Sequence, residues 1–325
     1  MADRELIVLA AVRRGDPYYA AYADAIRDFH IAYAKAIIAH GDDVLILGDE
    51  ASLKDYREEI DPAHLATAPQ DDIWMRDFSP SNAAAPVMFR YTAEGQGGGA
   101  RGQRDADAVQ EALADILARA GVSFSESDLL NDGGNFVEDG DGRAIVSRKF
   151  LHDNGLSEDE GRAALGEIAG VREVAFIDAD EQGGLEHADG VAAFIAPNVA
   201  VVNAYPDDPD YAAALHGDLR AGLPGVEIHE IVAPYDGGVI HDARFGSACG
   251  LYVNMLVTPR RIFLPQFGVP EDQDAMAALA QWTDKEIVPI PSAGVCPMGG
   301  GVRCMSQQLR GEDAQKLLRW TRARE

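Results

Sequence analysis

The stretch VAAFIAPNVAVVNAY (191–205) contains two short apolar runs separated by the turn-forming pair Pro197-Asn198. Apolar runs of this length, bounded by turn residues, indicate a β-hairpin. The same pattern occurs in NFVEDGDGRAIVSRKF (135–150), where Asp-Gly pairs mark the turn, and in LYVNMLVTPRRIFLPQF (251–267). The three stretches begin about 55–60 residues apart, so the sequence predicts a hairpin unit that repeats along the chain.

Stretches with helical periodicity lie between these hairpins. Their apolar residues recur at steps of three and four, two of them end at a glycine, and Ser157 with Glu160 has the spacing of a capping box. The predicted helices cover residues 19–40, 106–120, 157–170, 271–282 and 311–323.

Two further stretches are candidates for a fourth and a fifth copy of the unit, residues 77–91 and the segment from Val302. A β-hairpin-plus-helix unit repeated about five times predicts a closed, propeller-like α/β fold, and independent hairpins in an ordinary α/β sandwich are the alternative. No low-complexity segment or Pro/Ser-rich linker interrupts the 325 residues, so we expect one domain over residues 1–325.

The charge of the chain limits the classes of partner. The formal net charge is −26, from 54 acidic and 28 basic residues, and no cluster of Lys and Arg stands out. Such a chain is expected to bind neither nucleic acid nor an anionic membrane, because both need clustered positive charge. Solubility or adaptation to salt explains the acidic excess without any ligand, and the charge also permits a cationic small-molecule substrate.

The cysteines are few, at positions 249, 296 and 304. An odd, low number in a long chain argues against a disulfide framework and is typical of a reducing cytoplasm. The apolar run at residues 6–12 is too short to cross a membrane and predicts a buried first strand. We therefore expect a soluble, cytoplasmic protein.

Chemically reactive side chains concentrate in the turns that precede the hairpins. These turns are Trp74-Met75-Arg76-Asp77, Asp132-Gly133-Gly134-Asn135, Glu186-His187-Ala188-Asp189-Gly190 and Gly299-Gly300-Gly301-Val302-Arg303-Cys304. In a closed arrangement of repeats they would meet at the central axis, and glycines would let backbone approach a ligand closely.

Within these turns, Cys304 is the candidate nucleophile, because three glycines before it and a polar Ser-Gln-Gln run after it make a poor core environment. His187 and Asp189 are two residues apart and would share one face of a strand. Each feature also has an ordinary explanation: a lone cysteine is usually a small buried hydrophobe, and a His-x-Asp triplet is usually a solvated polar edge.

Other chemistries fit less well. His187, Asp189, Asp77 and Asp132 could ligate a divalent ion, but the cluster holds one histidine, and the chain has no H-E-x-x-H or paired C-x-x-C motif. It also lacks the G-x-S-x-G of serine hydrolases and a Gly-rich phosphate loop.

Five blocks together resemble the agmatine deiminase family, which includes the bacterial peptidylarginine deiminases. The resemblance runs in order from about residue 70 to 310, and the pairing of WMRD with a late Gly-rich run before Cys and Gln-Gln is specific. The blocks are DDIWMRDFSP (71–80), GGNFVEDG (133–140), HADG (187–190), LPQFGVPEDQ (264–273) and GGGVRCMSQQ (299–308).

The resemblance implies a five-bladed pseudo-symmetric α/β-propeller, no metal or other cofactor, and a homodimer. It assigns Cys304 as nucleophile, His187 as general acid/base, and Asp77 and Asp189 as the carboxylates that bind a guanidinium. It places Trp74 beside the substrate. Further candidates for substrate binding are Asp72, Glu186, Asn135 and Arg303.

Three positions depart from the family pattern. The family commonly has His where this chain has Arg303, Gly where it has Glu186, and Asn where it has Gly301. These departures concern the far end of the substrate: Glu186 suits an ammonium, whereas Arg303, Arg76 or Arg148 could bind a carboxylate if it is not in a structural ion pair.

The resemblance implies a hydrolase of polyamine metabolism that converts agmatine to N-carbamoylputrescine and ammonia, through an S-alkylthiouronium on Cys304. Deimination of arginine, a peptidylarginine or another alkylguanidine is the first alternative. A guanidino-binding protein without catalysis is the second, and a metal-dependent hydrolase is the third.

Overall fold

The strands of the protein form five separate sheets in the computed structural model, which describes residues 4–81, 85–180 and 185–323. In their order within each sheet, the strands are β15 (Gln307–Arg310), β1 (Glu5–Ala10), β2 (Asp43–Gly48) and β3 (Leu65–Thr67); β4 (Val87–Arg90) and β5 (Ser125–Leu130); β6 (Val137–Glu138), β7 (Arg143–Ser147) and β8 (Glu173–Ile177); β9 (Ala192–Ala196), β10 (Val199–Asn203) and β11 (Glu227–Ile231); and β12 (Leu256–Val257), β13 (Arg261–Gln266) and β14 (Glu286–Pro291).

Helices connect and cover these sheets. They are α1 (Ala23–His40), α2 (Glu50–Leu53), α3 (Gly99–Ala120), α4 (Lys149–Asn154), α5 (Glu158–Ala169), α6 (Pro209–Gly222), α7 (Glu271–Trp282) and α8 (Gly311–Arg322). Within the described residues, no helix is both long and apolar enough to cross a membrane.

Three of the sheets share one plan. A strand pairs antiparallel with the next, and a helical crossover then returns the chain to a third strand parallel to the second. The three hairpins predicted at 135–150, 191–205 and 251–267 are confirmed by the antiparallel pairs β6–β7, β9–β10 and β12–β13.

The two weaker candidates for the unit differ from the prediction. Within 77–91, only β4 is a strand, and it pairs in parallel with β5; residues 82–84 lie outside the described part of the chain. The segment from Val302 contributes β15, whose antiparallel partner is β1 from the other end of the chain. That pairing joins strands from opposite ends of the chain in one sheet, and no local sequence pattern predicts it.

The predicted helices are present, with ends set by caps. Ser157 and Glu160 form the expected capping box at the start of α5. Helices α1 and α3 stop at Gly41 and Gly121, whose φ angles of 87° and 78° lie in the left-handed region that favours glycine. Helix α6 was not predicted.

The core forms on both faces of the first sheet. Every residue of β1 is buried, as predicted for the first apolar run. Ile7 and Leu9 face the cluster that includes Phe29 and Tyr33 of α1, whereas Leu6 and Val8 face the cluster with α3 and α8. Burial of each large apolar side chain contributes about 1.5–3 kcal/mol, so this packing fixes the strands and the turns at their ends.

The turns that precede the first strands of different units are hydrogen-bonded to one another. The Arg76 amide donates to the Cys304 carbonyl at 3.0 Å, the Gly133 amide to the Asp77 carbonyl at 3.0 Å, and the Arg303 amide to the Asn254 carbonyl at 3.2 Å. The fold thereby brings turns from distant parts of the sequence to one place.

Candidate active site

Cys304 lies in the turn between the glycine run and β15, with its side chain buried. Its Sγ accepts a hydrogen bond from Asn254 Nδ2 at 3.0 Å and lies 3.6 Å from Asp189 Oδ2. Among the described residues, Cys304 is the cysteine that is not part of a disulfide. Its polar surroundings are not those of a cysteine packed in hydrocarbon.

His187 is held between two buried carboxylates. Its Nε2 is 3.0 Å from Asp132 Oδ2, and its Nδ1 is 3.7 Å from Asp77 Oδ1. Asp132 is itself fixed, because it accepts hydrogen bonds from the Thr92 amide and hydroxyl, both at 2.8 Å. This contact orients the imidazole ring while its other nitrogen faces Asp77.

Asp189 contacts a cation supplied by the protein. Arg303 Nη1 donates to Asp189 Oδ2 at 2.7 Å, and both side chains are almost fully buried. Asp189 and His187 belong to one short 3₁₀ turn and its first cap, just before β9. His187 and Asp189 were predicted to share one face of a strand. The structure places both of them in a turn instead.

The charges in this site shift its ionisation. Burial lowers the pKa of His187, but the Asp77 and Asp132 carboxylates raise it by more, to about 9. Burial, together with Asp189 and Asp77, raises the pKa of the Cys304 thiol well above its ordinary value, against the hydrogen bond from Asn254 and the charge of Arg303. These interactions favour a protonated imidazole and a neutral thiol.

Two glycines allow the turns to approach this closely. A Cβ on Gly134 would collide with His187 Nδ1 and lie 2.8 Å from Asp77 Oδ1. A Cβ on Gly300 would collide with the Trp74 ring and lie 2.9 Å from the Cys304 Cβ. At both positions, therefore, any side chain larger than that of glycine would collide with its neighbours, which explains the glycine runs singled out in the sequence.

One cavity connects these groups to the outside. Its wall includes Cys304, His187 and Asp189, together with the acidic residues Asp180 and Glu186. The remaining lining residues are small or apolar, apart from Asn254: Ala179, Leu185, Gly190, Phe245, Gly246, Ser247, Ala248, Leu251 and Gly299.

The other predicted substrate-binding residues occupy different positions. Trp74 is half-buried and packs beside Gly300. Asp72 is buried away from the cavity wall and accepts from the Tyr19 hydroxyl at 2.7 Å. Asn135 accepts from the Ala188 amide at 3.3 Å and so joins two of the turns.

Two residues beside the reactive groups were not assigned to these positions from the sequence. Asn254 was not singled out, and Asp132 was considered only as a metal ligand. Asn254 directly precedes the β12–β13 hairpin, so the repeat that located the other turns also pointed to it. Within the described residues, no group of three or more His, Cys, Asp or Glu side chains is arranged to hold a metal ion.

Cys249 and Cys296 form a disulfide beside the cavity, which corrects the expectation of unpaired cysteines. The Ala248 amide donates to the Cys296 carbonyl at 2.9 Å, so the two segments lie side by side and their cysteines meet. The bond ties the cavity wall around Phe245 to the segment that leads into the catalytic turn.

Removal of this disulfide should lower thermal stability. The cysteines are 47 residues apart, and closing such a loop stabilises a fold by about 4 kcal/mol in the chain-entropy account. We expect the double variant C249S/C296S to melt roughly 5–10 °C below the wild type, measured by circular dichroism without reductant. A reductant should lower the wild-type midpoint similarly and leave the variant unchanged. Equal midpoints for the two proteins would contradict the prediction.

Comparison with known proteins places this geometry in context. The family model described as Porphyromonas-type peptidyl-arginine deiminase matches residues 2–309. An agmatine deiminase of Pseudomonas fluorescens is 26% identical over 324 aligned positions, covering 86% of each chain.

Solved structures show the same fold at lower identity. The agmatine deiminase of C. jejuni with substrate bound superposes with a TM-score of 0.77 at 16% identity, over 95% of this chain and 94% of that one. The agmatine deiminase of Enterococcus faecalis gives 0.75 at 20% identity, with the same coverage.

Proposed function

The chain belongs to the Porphyromonas-type peptidyl-arginine deiminase family, and on that premise we propose that it hydrolyses agmatine to N-carbamoylputrescine and ammonia. The observation that carries this proposal is the acidic cavity in which the Cys304 thiol, the His187 imidazole and the Asp189 carboxylate meet. The agmatine deiminases among its relatives support the choice of substrate.

A guanidinium fits this site for simple physical reasons. It is a planar cation with paired N–H donors along its edges, and carboxylates accept such pairs. We assign Asp77 and Asp189 to this role, with Trp74 beside the substrate. Their negative charge disfavours a thiolate, and a bound cation offsets that charge. Substrate binding therefore promotes ionisation of Cys304, whose proton leaves through the cavity to solvent.

The reaction then proceeds in two steps. The thiolate attacks the guanidinium carbon, His187 gives its proton to the departing nitrogen, and ammonia leaves an S-alkylthiouronium on Cys304. His187, now neutral, takes a proton from a water molecule, whose oxygen attacks the same carbon. The carbon–sulfur bond breaks, and the oxygen remains in the carbamoyl group of the product.

The cavity favours a substrate whose far end carries an ammonium over one whose far end carries a carboxylate. Asp180 and Glu186 line the cavity, and the described lining residues include no Lys or Arg. The arginines considered for a carboxylate have other partners: Arg303 binds Asp189, Arg148 binds Asp218 at 2.7 Å, and Arg76 donates to Gln308 at 3.3 Å.

Substrate choice is tested by ammonia release from agmatine, arginine and a C-terminal peptidylarginine, each after exhaustive chelation. We expect turnover with agmatine and at least tenfold lower kcat/KM with the other two. Turnover of arginine or the peptide without agmatine would refute the assignment, and loss of activity on chelation would favour a metal-dependent hydrolase.

Glu186 is expected to contribute to substrate affinity. It adopts a φ of 51°, which is uncommon for a residue other than glycine, and its side chain lines the cavity. The variant E186Q should raise KM for agmatine about three- to tenfold with little change in kcat, because a partly exposed ion pair contributes roughly 1 kcal/mol. E158Q, whose carboxylate pairs with arginines elsewhere, is the control. An unchanged KM would contradict this role.

We also propose that the five sheets form a five-bladed propeller within one domain. The shared plan of the units and the hydrogen bonds between their turns support this arrangement. The cytoplasmic location and the homodimer remain predictions.

A further inference from the structure

Arg303 is the charged residue of the turn that carries Cys304 (residues 299–304). Its side chain is about 9% exposed and does not reach the cavity wall. Instead it lies in the contact between turns. Burying a cation costs free energy unless the cation is paired, so the contacts of the Arg303 guanidinium show its role.

The guanidinium joins three turns that carry reactive groups. Nη1 donates to Asp189 Oδ2 at 2.7 Å, Nη2 donates to the Phe136 carbonyl at 2.8 Å, and Nη2 lies 3.8 Å from Glu138 Oε2. The backbone amide of Arg303 donates to the Asn254 carbonyl. Together these contacts reach three different units of the fold, so Arg303 holds in register the turns that position Asp189 and Cys304.

The contact with Asp189 has a chemical consequence. The Cys304 Sγ and Arg303 Nη1 both approach the same oxygen, Oδ2. Because Asp189 Oδ2 is bound to the guanidinium of Arg303, the negative charge of this oxygen acts less strongly on the sulfur. The other oxygen, Asp189 Oδ1, is then the one left for substrate.

We propose that Arg303 is a positioning residue, whose guanidinium orients the Asp189 carboxylate toward the substrate and offsets its charge beside the Cys304 sulfur. The positioning for turnover rests on the proposed deiminase function, whereas the effect on the thiol does not. The charged groups that face the sulfur are Asp77, Asp189, His187, Arg76 and Arg303. Among them, Arg303 is the cation in direct contact with the carboxylate nearest the sulfur.

The test measures thiol reactivity separately from turnover. Because Cys249 and Cys296 form a disulfide, alkylation by iodoacetamide reports on Cys304, and intact-protein mass spectrometry confirms one adduct. At pH 8, below the thiol pKa, the alkylation rate follows the thiolate fraction. R303Q should be alkylated about tenfold more slowly than the wild type, because removing a nearby cation raises a thiol pKa by about one unit or more.

A second variant separates charge from geometry and covers a failure of R303Q to fold. R303K keeps the charge but loses the two-pronged donor, so its alkylation rate should stay within about threefold of the wild type while kcat for agmatine falls about tenfold. R261Q is the matched control, since Arg261 is similarly buried and pairs with Asp42 at 2.8 Å outside the cavity. It should lose thermal stability without any change in alkylation.

The outcomes are distinct. Slow alkylation in R303Q, with R303K near the wild type, supports the proposal even if agmatine proves not to be the substrate. Wild-type alkylation in R303Q, or wild-type turnover in R303K, would overturn it and leave Arg303 as a structural ion pair.

Discussion

Replacement of Cys304 by serine is expected to lower kcat for agmatine by at least about 10⁴-fold while the affinity for agmatine changes by less than about threefold. A serine hydroxyl at this position has no base positioned to ionise it, because the Asp77 and Asp132 carboxylates favour the protonated form of His187. The loss is of the size found when a covalent nucleophile is removed. Isothermal titration and ammonia release measure the two quantities.

The same variant separates the enzyme from a protein that only binds guanidino compounds. Quenched wild-type protein should carry a mass adduct of the guanidino substrate on Cys304, and C304S should carry none. C249S/C296S keeps the reactive thiol and should still form the adduct. Turnover by C304S within tenfold of the wild type would contradict the assignment, and binding without turnover in the wild type would favour the non-catalytic alternative.

The variant D189N should affect turnover and thiol reactivity in opposite directions. Loss of one carboxylate that grips the guanidinium is expected to lower kcat/KM by about 10³-fold. The thiol pKa should fall, because Asp189 raises it and lies 3.6 Å from the sulfur, so alkylation at pH 8 should be several-fold faster. The expected change in the alkylation rate of D189N is therefore opposite in direction to that of R303Q.

This opposition distinguishes a charge effect from simple damage to the site. A misfolded pocket would change the alkylation of D189N and R303Q in the same direction. Thermal melting of both variants, with R261Q beside them, controls for global stability. Slower alkylation of D189N would contradict the electrostatic account of the thiol.

The hairpins that were predicted correctly share a local signal. Hairpins were found because a turn such as Pro197-Asn198 separates two apolar runs, and backbone preferences at a turn depend on the residues within it. Cys304 and His187 were singled out because reactive residues stand beside glycines at hairpin starts. The structure shows the close approach, since a Cβ on Gly134 would collide with His187, whereas the catalytic roles remain predictions.

The features that were missed depend on partners far away in the chain. Asn254 reaches the Cys304 sulfur across 50 residues, and Arg303 reaches Asp189 across 114. The disulfide and the β15–β1 pair likewise join distant segments. Asp72 stands in a recognisable block, yet its carboxylate accepts from the Tyr19 hydroxyl instead of lining the cavity.

The sequence by itself determined the repeated hairpin-plus-helix unit and located the turns that the fold brings together, and it predicts Cys304 as the reactive thiol. Only the tertiary structure decided which turn meets which, that a buried arginine contacts Asp189, and that Asn254 donates to the sulfur. The physical reason is range: turn and hydrophobic patterns act over a few neighbouring residues, whereas the packing of whole sheets decides which distant side chains meet.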